Sequence, residues 1–260
     1  MAILTCSIAS RSLGRFSPIT AILPVPKANA LFDFSIEDPY DLKPFKTLYL
    51  LHGLSDDCTA WLTGTRVARY AAEKGIAVIM PSGENGFYTD HDEGNRYGEY
   101  IGSELIRATR TMFNLSHRRE DTYIAGLSMG GYGALRNAMK YNETFSKAGA
   151  FSAALICKEI FTYTDDAPRF HRRREYFERV FGKPDAFTGG DNDVYALAEK
   201  YAKTLKFYIS CGTEDFLIEN NRDFAAHMNK LGAGMLYIEE PGGHEWDFWD
   251  RHIKRFIEWL

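Results

Sequence analysis

Two hydrophobic rhythms alternate along this chain. Short, β-prone apolar runs occupy residues 46–51, 76–80, 122–126, 147–151, 207–210 and 235–239, the lengths and compositions of buried strands. Between them, residues 65–74, 98–112, 131–141, 194–203 and 220–231 carry apolar positions at helical spacing, and Gly75 and Gly232 stop two of these segments. Such alternation predicts an α/β architecture, a mostly parallel sheet with helices on both faces. Ahead of it, residues 2–10 and 17–25 are extended and rich in β-branched side chains, with serine and glycine turn chemistry between them. They predict an antiparallel edge hairpin or meander. Asp38-Pro39 and Lys43-Pro44 punctuate the approach to the first central strand. The rhythm breaks at residues 154–190, where Asp165-Asp166, Pro168, Pro184 and a run of arginines replace it; this segment is expected to be an insertion capping the sheet. A last helix is expected near Asp247, capped by that side chain, with Phe248, Trp249, Ile253, Phe256, Ile257 and Leu260 on one face.

The sharpest feature is the junction at Gly126-Leu127-Ser128-Met129-Gly130. A strand that turns into a helix within so few residues forces its central residue into a strained conformation, which glycines two before and two after permit because they have no Cβ. Ser128 is thereby lifted off the sheet, beside a helix N-terminus able to stabilise negative charge. This is the pattern of a nucleophile elbow.

A serine hydroxyl needs an imidazole to take its proton. Of seven histidines, His117 falls in a charged turn at the far end of the elbow strand, and His227 and His252 fall within helices. His91 and His171 lie in a loop and in the insertion. His244 follows the last strand, at the carboxyl edge where open α/β sheets place their ligands. The acid that fixes its tautomer should come between serine and histidine in the chain. Asp215 meets that order, 87 residues after Ser128 and 29 before His244, in the loop after strand 207–210; Glu214 is its nearest rival. For the oxyanion, the N–H of Met129 is one expected donor and that of Leu54, after the strand ending in His52-Gly53, the other. Trp61, Phe87 and Tyr88 lie in loops at the same sheet edge and are expected to wall the substrate site.

Composition adds limits. The 260 residues are 45% hydrophobic, enough for a large core and compatible with a single domain over residues 1–260. With 31 basic and 35 acidic residues, net charge −4, charge alone suggests no nucleic-acid partner, and a small-molecule substrate fits better. Cys6, Cys58, Cys157 and Cys211 are widely spaced without a CxxC pair, so neither a metal site nor a disulfide framework is expected. The absence of an apolar signal core or an 18-residue apolar stretch leads to the expectation of a cytoplasmic protein without a membrane span. Assembly into a homo-oligomer is left open.

Leu51-His52-Gly53, the loop Gly86-Phe87-Tyr88-Thr89-Asp90, the run from Gly126 through Ser128-Met129-Gly130-Gly131-Tyr132-Gly133-Ala134, and the Asp215/His244 arrangement resemble the esterase D family of α/β-hydrolases. The resemblance is especially to its tributyrin-esterase branch and runs from about residue 48 to the C-terminus. The resemblance implies the α/β-hydrolase fold and a cofactor-free serine carboxylesterase acting on short acyl esters through an acyl-enzyme. Its relatives include feruloyl, cinnamoyl and acetyl esterases of plant-polysaccharide esters, S-formylglutathione hydrolases and mycolyltransferases. The formylglutathione hydrolases typically carry histidines before the nucleophile and after the double glycine, where this chain has Leu127 and Tyr132. Thioesterase and acyltransferase readings stand as alternatives.

Overall fold

Among the described residues the chain builds one sheet of eight strands. In the computed structural model, which describes residues 1–25, 42–90, 95–157 and 160–260, these are β1 (Ala2–Ser10), β2 (Arg15–Leu23), β3 (Thr47–Leu51), β4 (Ala77–Pro81), β5 (Thr122–Leu127), β6 (Lys147–Phe151), β7 (Lys206–Gly212) and β8 (Gly234–Glu240). Asp38-Pro39 and His91 lie outside the described residues. The spatial order is β1-β2-β4-β3-β5-β6-β7-β8. β1 and β2 pair antiparallel from Ala2↔Leu23 to Ser10↔Arg15, β2 runs antiparallel to β4, and every later neighbour is parallel. The hairpin thus occurs where expected, with β2 starting two residues early because Gly14, at φ 62°, makes a left-handed turn.

Strand parity sorts the core. Tyr49, Leu51, Ile79 and Ile124 face one layer, and Leu48, Leu50, Val78, Tyr123 and Leu127 the other, as a period of two demands when both faces are covered. Helices α2 (Val67–Lys74) and α10 (Trp246–Trp259) pack on the second layer. On the first lie α4 (Leu105–Met112), α5 (Met129–Lys140), α8 (Val194–Tyr201) and α9 (Ile218–Lys230). Shorter pieces are α1 (Ala60–Gly64), α3 (Tyr97–Glu99), α6 (Arg174–Phe181) and α7 (Pro184–Phe187); a π-helical stretch, Tyr100–Glu104, joins α3 to α4.

Helix α10 buries Phe248, Trp249, Ile253, Phe256 and Ile257 as its spacing predicts, and His252 with them. Full burial of each such side chain is worth about 1.5–3 kcal/mol, so this face fixes the helix. Phe256 contacts Phe151 and Tyr208 and lies beneath Gly149, where an added Cβ would come within 2.8 Å of its ring. The expected Asp247 cap is not formed. The helix begins one residue earlier, at Trp246, so Asp247 sits inside its first turn, and the cap position is Glu245 with no capping side-chain bond.

Candidate active site

All the parallel strands point their carboxyl ends to one edge, and Ser128 stands there between β5 and α5. Its backbone has φ 52° and ψ −117°, a conformation that costs a non-glycine residue on the order of 1–3 kcal/mol and persists only when its surroundings enforce it. They do so from β6 and beyond: the Ser128 N–H donates to Phe151 O (2.9 Å), and Ser128 O accepts from Ala154 N (2.9 Å). The two elbow glycines are required by close approach. A Cβ on Gly126 would lie 2.3 Å from Gly130 O, and one on Gly130 would lie 2.5 Å from both Leu51 O and His52 O.

The loops after β7 and β8 are laced together before their side chains meet. Thr213 N donates to Glu240 O (3.0 Å) and Glu214 N to Gly242 O (3.1 Å), while Gly242 N donates to Glu214 Oε2 (2.5 Å). Gly212 lets the strands close, since its Cβ would fall 2.0 Å from Gly242 O. Glu214, the rival acid, therefore braces the histidine loop and is turned away from the imidazole. Asp215 takes the inner position, 2% exposed.

Within this frame Ser128 Oγ lies 3.0 Å from His244 Nε2, and His244 Nδ1 lies 2.9 Å from Asp215 Oδ2. Asp215 Oδ1 accepts from Leu217 N (2.9 Å). Burial pushes the Asp215 carboxyl up, but the hydrogen bond and charge of His244, with the Leu217 N–H and the Ser152 hydroxyl, outweigh it and hold the group below the usual carboxylate range. An ionised Asp215 accepts the Nδ1–H, which leaves Nε2 free to accept from Ser128 Oγ–H. The imidazole is flanked by Trp249 at 5.0 Å and Phe216 at 4.7 Å between ring centroids.

Met129 and Leu54 both line the cavity beside Ser128. Met129 is the first residue of α5, so helix geometry leaves its N–H without an intrahelical partner. Leu54 follows Gly53, whose Cβ would lie 3.7 Å from Ser128 Cβ. His52 sets this loop: its Nδ1–H donates to Gly53 O (2.7 Å) and its Nε2 accepts from Gly83 N (2.8 Å), with burial lowering its pKa.

The cavity has a volume of about 980 Å3. Of the three aromatics expected to wall it, Phe87 does so, against Phe177 and Phe181. Tyr88 and Trp61 do not line it. Tyr88 is fully buried beneath His52, donating to His52 O (3.1 Å). Trp61 is 1% exposed, donates to Leu51 O (2.8 Å) and packs on Phe151 and Trp246. Their indole and phenol donors satisfy backbone carbonyls at strand ends, which makes them supports of the edge instead of its surface. Residues 154–190 do reach the site: Ala154, Ile156, Arg169, His171, Arg172 and Phe177 line the same cavity.

Ser152, Trp249 and Phe216 were not singled out by motif. The signal for Ser152 is its place immediately after β6, at the same edge as the residues after β5, β7 and β8. Among the described residues, no group of three or more His, Cys, Asp or Glu is placed to hold a metal ion, and no helix is long and apolar enough to cross a membrane.

Fold and site together define a class: this is a carboxylic ester hydrolase of the α/β-hydrolase fold. The chain belongs to the Esterase family, described as "Putative esterase", which it matches over residues 31–259. It is 40% identical to an acetyl esterase of Caldicellulosiruptor saccharolyticus, over all of this chain and 98% of that one. Among solved structures it is similar to FphF of Staphylococcus aureus, a fluorophosphonate-binding serine hydrolase (33% identity, TM-score 0.83, 99% of this chain and 97% of that one). It is also similar to the S-formylglutathione hydrolase FrmB from Staphylococcus aureus (32% identity, TM-score 0.81, 99% and 98%).

Proposed function

We propose that the protein hydrolyses acetyl and other short-chain acyl esters through an acyl-enzyme on Ser128. The observation that carries this is the hydrogen-bonded line from Ser128 Oγ through His244 to buried Asp215, in the cavity at the carboxyl edge of the sheet. His244 Nε2 takes the Ser128 proton as Oγ attacks the ester carbon. The Leu54 and Met129 N–H groups receive the oxyanion, and Asp215 balances the charge gained by the imidazole. When the intermediate collapses, the C–O bond to the alcohol breaks and Nε2 returns the proton to the departing oxygen. Water, activated by the same nitrogen, then releases the acid and restores Ser128.

The tributyrin-esterase-like branch is the reading favoured for the acyl specificity, with residues 154–190 acting as a cap. Leu127 and Tyr132, in place of the two histidines typical of formylglutathione hydrolases, argue for oxygen esters over S-formylglutathione. Tyr132 is fully buried and donates to Asn192 O, so its hydroxyl serves packing. A cytoplasmic location is supported by four cysteines that form no disulfide.

The test is kinetic. Ser128→Ala and His244→Ala should each lower kcat on a short acyl ester by about 10⁴-fold or more while leaving the protein folded. Retention of a tenth of the wild-type rate by either purified variant would refute the assignment. A panel of acetyl, butyryl, feruloyl and S-formyl substrates ranks the acyl group.

A further inference from the structure

We infer that Phe216 forms a subsite for the alcohol part of the ester, selecting alcohols that present a flat, apolar ring face. This rests on the esterase reading above and adds to it the side of the substrate that the loop after β7 recognises.

Phe216 is 75% exposed, the highest value among the exposed large hydrophobic side chains of the described residues. It nevertheless stands at the centre of the chemistry, since it lines the cavity that holds Ser128 and its ring centroid is 4.7 Å from that of the His244 imidazole, tilted by 45°. The two rings beside His244 differ in kind. Trp249 also borders the cavity, but it is 5% exposed and its indole N–H is held by Ser152 Oγ (3.1 Å), so it offers little free surface. Phe216 has open space before it.

The backbone does not let the ring withdraw. Asp215 N donates to Gly212 O (3.1 Å), Ile218 N to Asp215 O (3.0 Å) and Leu217 N to Asp215 Oδ1 (2.9 Å), and the neighbours Asp215 and Leu217 are 2% and 4% exposed. An apolar ring held in water on a rigid turn forgoes the stabilisation that burial would give it, and a bound ring supplies that burial.

The reaction places such a ring there. As the tetrahedral intermediate collapses, the electron pair of the broken C–O bond stays with the alcohol oxygen, which takes the proton from His244 Nε2. That oxygen must come within hydrogen-bond reach of Nε2, about 2.6–3.2 Å. The alcohol part therefore leaves along the imidazole, on whose open side Phe216 stands. An aryl ring and a pyranose ring share the required chemistry, a flat face of C–H or π surface.

The experiment compares kcat/KM for ethyl acetate, benzyl acetate and a monoacetylated xylopyranoside in wild type, Phe216→Ala and Phe216→Tyr. Because the ratio of two esters is measured on one enzyme sample, it does not depend on how much of a variant folds. In Phe216→Ala the ratio to ethyl acetate should fall about fivefold to thirtyfold for the ring-bearing alcohol, the scale of losing most of a phenylalanine contact. Phe216→Tyr, which keeps the ring, should preserve it. A fall for the benzyl ester alone identifies an aryl alcohol, one for the xylopyranoside alone a sugar, and one for both a general ring site. An equal change for all three esters would mean that Phe216 only packs against His244, and would overturn the inference, as would no change at all. Failure of the underlying esterase reading looks different: Ser128→Ala would then still turn over all three esters.

Discussion

Ser152 ties together the two flanks of the hydrogen-bonded Ser128–His244–Asp215 line. It is fully buried with φ at 47°, its N–H donates to Ser210 O (2.7 Å), its Oγ accepts the Trp249 indole N–H (3.1 Å), and its hydroxyl helps hold the Asp215 carboxylate ionised. A buried polar group in a strained backbone is retained where something else requires it. Here that is a line from Trp249 through Ser152 to Asp215, while the same tryptophan ring meets the His244 imidazole at right angles. Under the proposed reaction, Ser152 and Trp249 would act as positioning residues. Ser152→Ala should lower kcat by about tenfold with little change in KM, on the scale of a hydrogen bond to a charged group. Trp249→Phe should act through the same line, so the double variant should lose less than the product of the two single losses. Independent, multiplicative losses in that double-mutant cycle would separate the two residues.

At the scale of elements, the site depends on how loops at strand ends are locked, and α10 supplies much of the locking. His252 connects α10 to the sheet. It is fully buried, its Nδ1 pairs with Tyr208 Oη at 2.9 Å, and its Nε2 lies 3.1 Å from Glu240 Oε1 but off the hydrogen-bonding axis. Burial outweighs the attraction of Glu240 and lowers its pKa to about 4. The sign follows from linkage: the unfolded chain, with histidine near 6.5, binds this proton more tightly than the folded one, so folding is favoured fully above about pH 6.5 and loses stability as pH falls toward 4. The loss is on the order of 3 kcal/mol. His252→Gln keeps a partner for Tyr208 but does not titrate, so its melting temperature should decline less than that of wild type between pH 6.5 and 4. Parallel declines would show that His252 carries no such linkage.

Across the whole molecule, the segment 154–190 joins the sheet edge to the cavity. Tyr176 Oη donates to Asn85 O (2.7 Å) and Thr89 Oγ1 to Val180 O (2.6 Å), so α6 is anchored to the loop after β4. Its apolar face is buried through Tyr176, Phe177, Val180 and Phe181. The arginines divide by task. Arg173 and Arg174 donate to Ala167 O (3.0 Å) and Tyr163 O (3.2 Å) within the segment, whereas Arg169 and Arg172 line the cavity. If the segment acts as a cap that reads charge, an Arg169→Ala/Arg172→Ala variant should lose several-fold more kcat/KM on a carboxylate-bearing ester than on its neutral methyl ester. An equal change on both would leave the cap a purely steric role.

The sequence by itself determined most of the sheet, because strand and helix periods and the Gly-x-Ser-x-Gly junction are local: the six apolar runs became β3 to β8, and Ser128 became the strained residue between β5 and α5. Chain order also singled out Asp215 and His244, which the folded chain brings together with Ser128, since each follows a strand and parallel strands deliver such loops to one edge. Tertiary structure decided what no local pattern encodes. Trp61 and Tyr88 read as loop aromatics at that edge, yet their polar tips meet the carbonyls of Leu51 and His52 and draw them into the core, while Phe216, one residue from a buried carboxylate, is left in the open. The rotation of Glu214 toward Gly242, and the meeting of Trp249 with Ser152 beside Asp215, depend on contacts between strands and helices far apart in the chain. Hydrophobic period fixes which face of an element is buried; only the packed neighbours fix which side chains at its end reach the cavity.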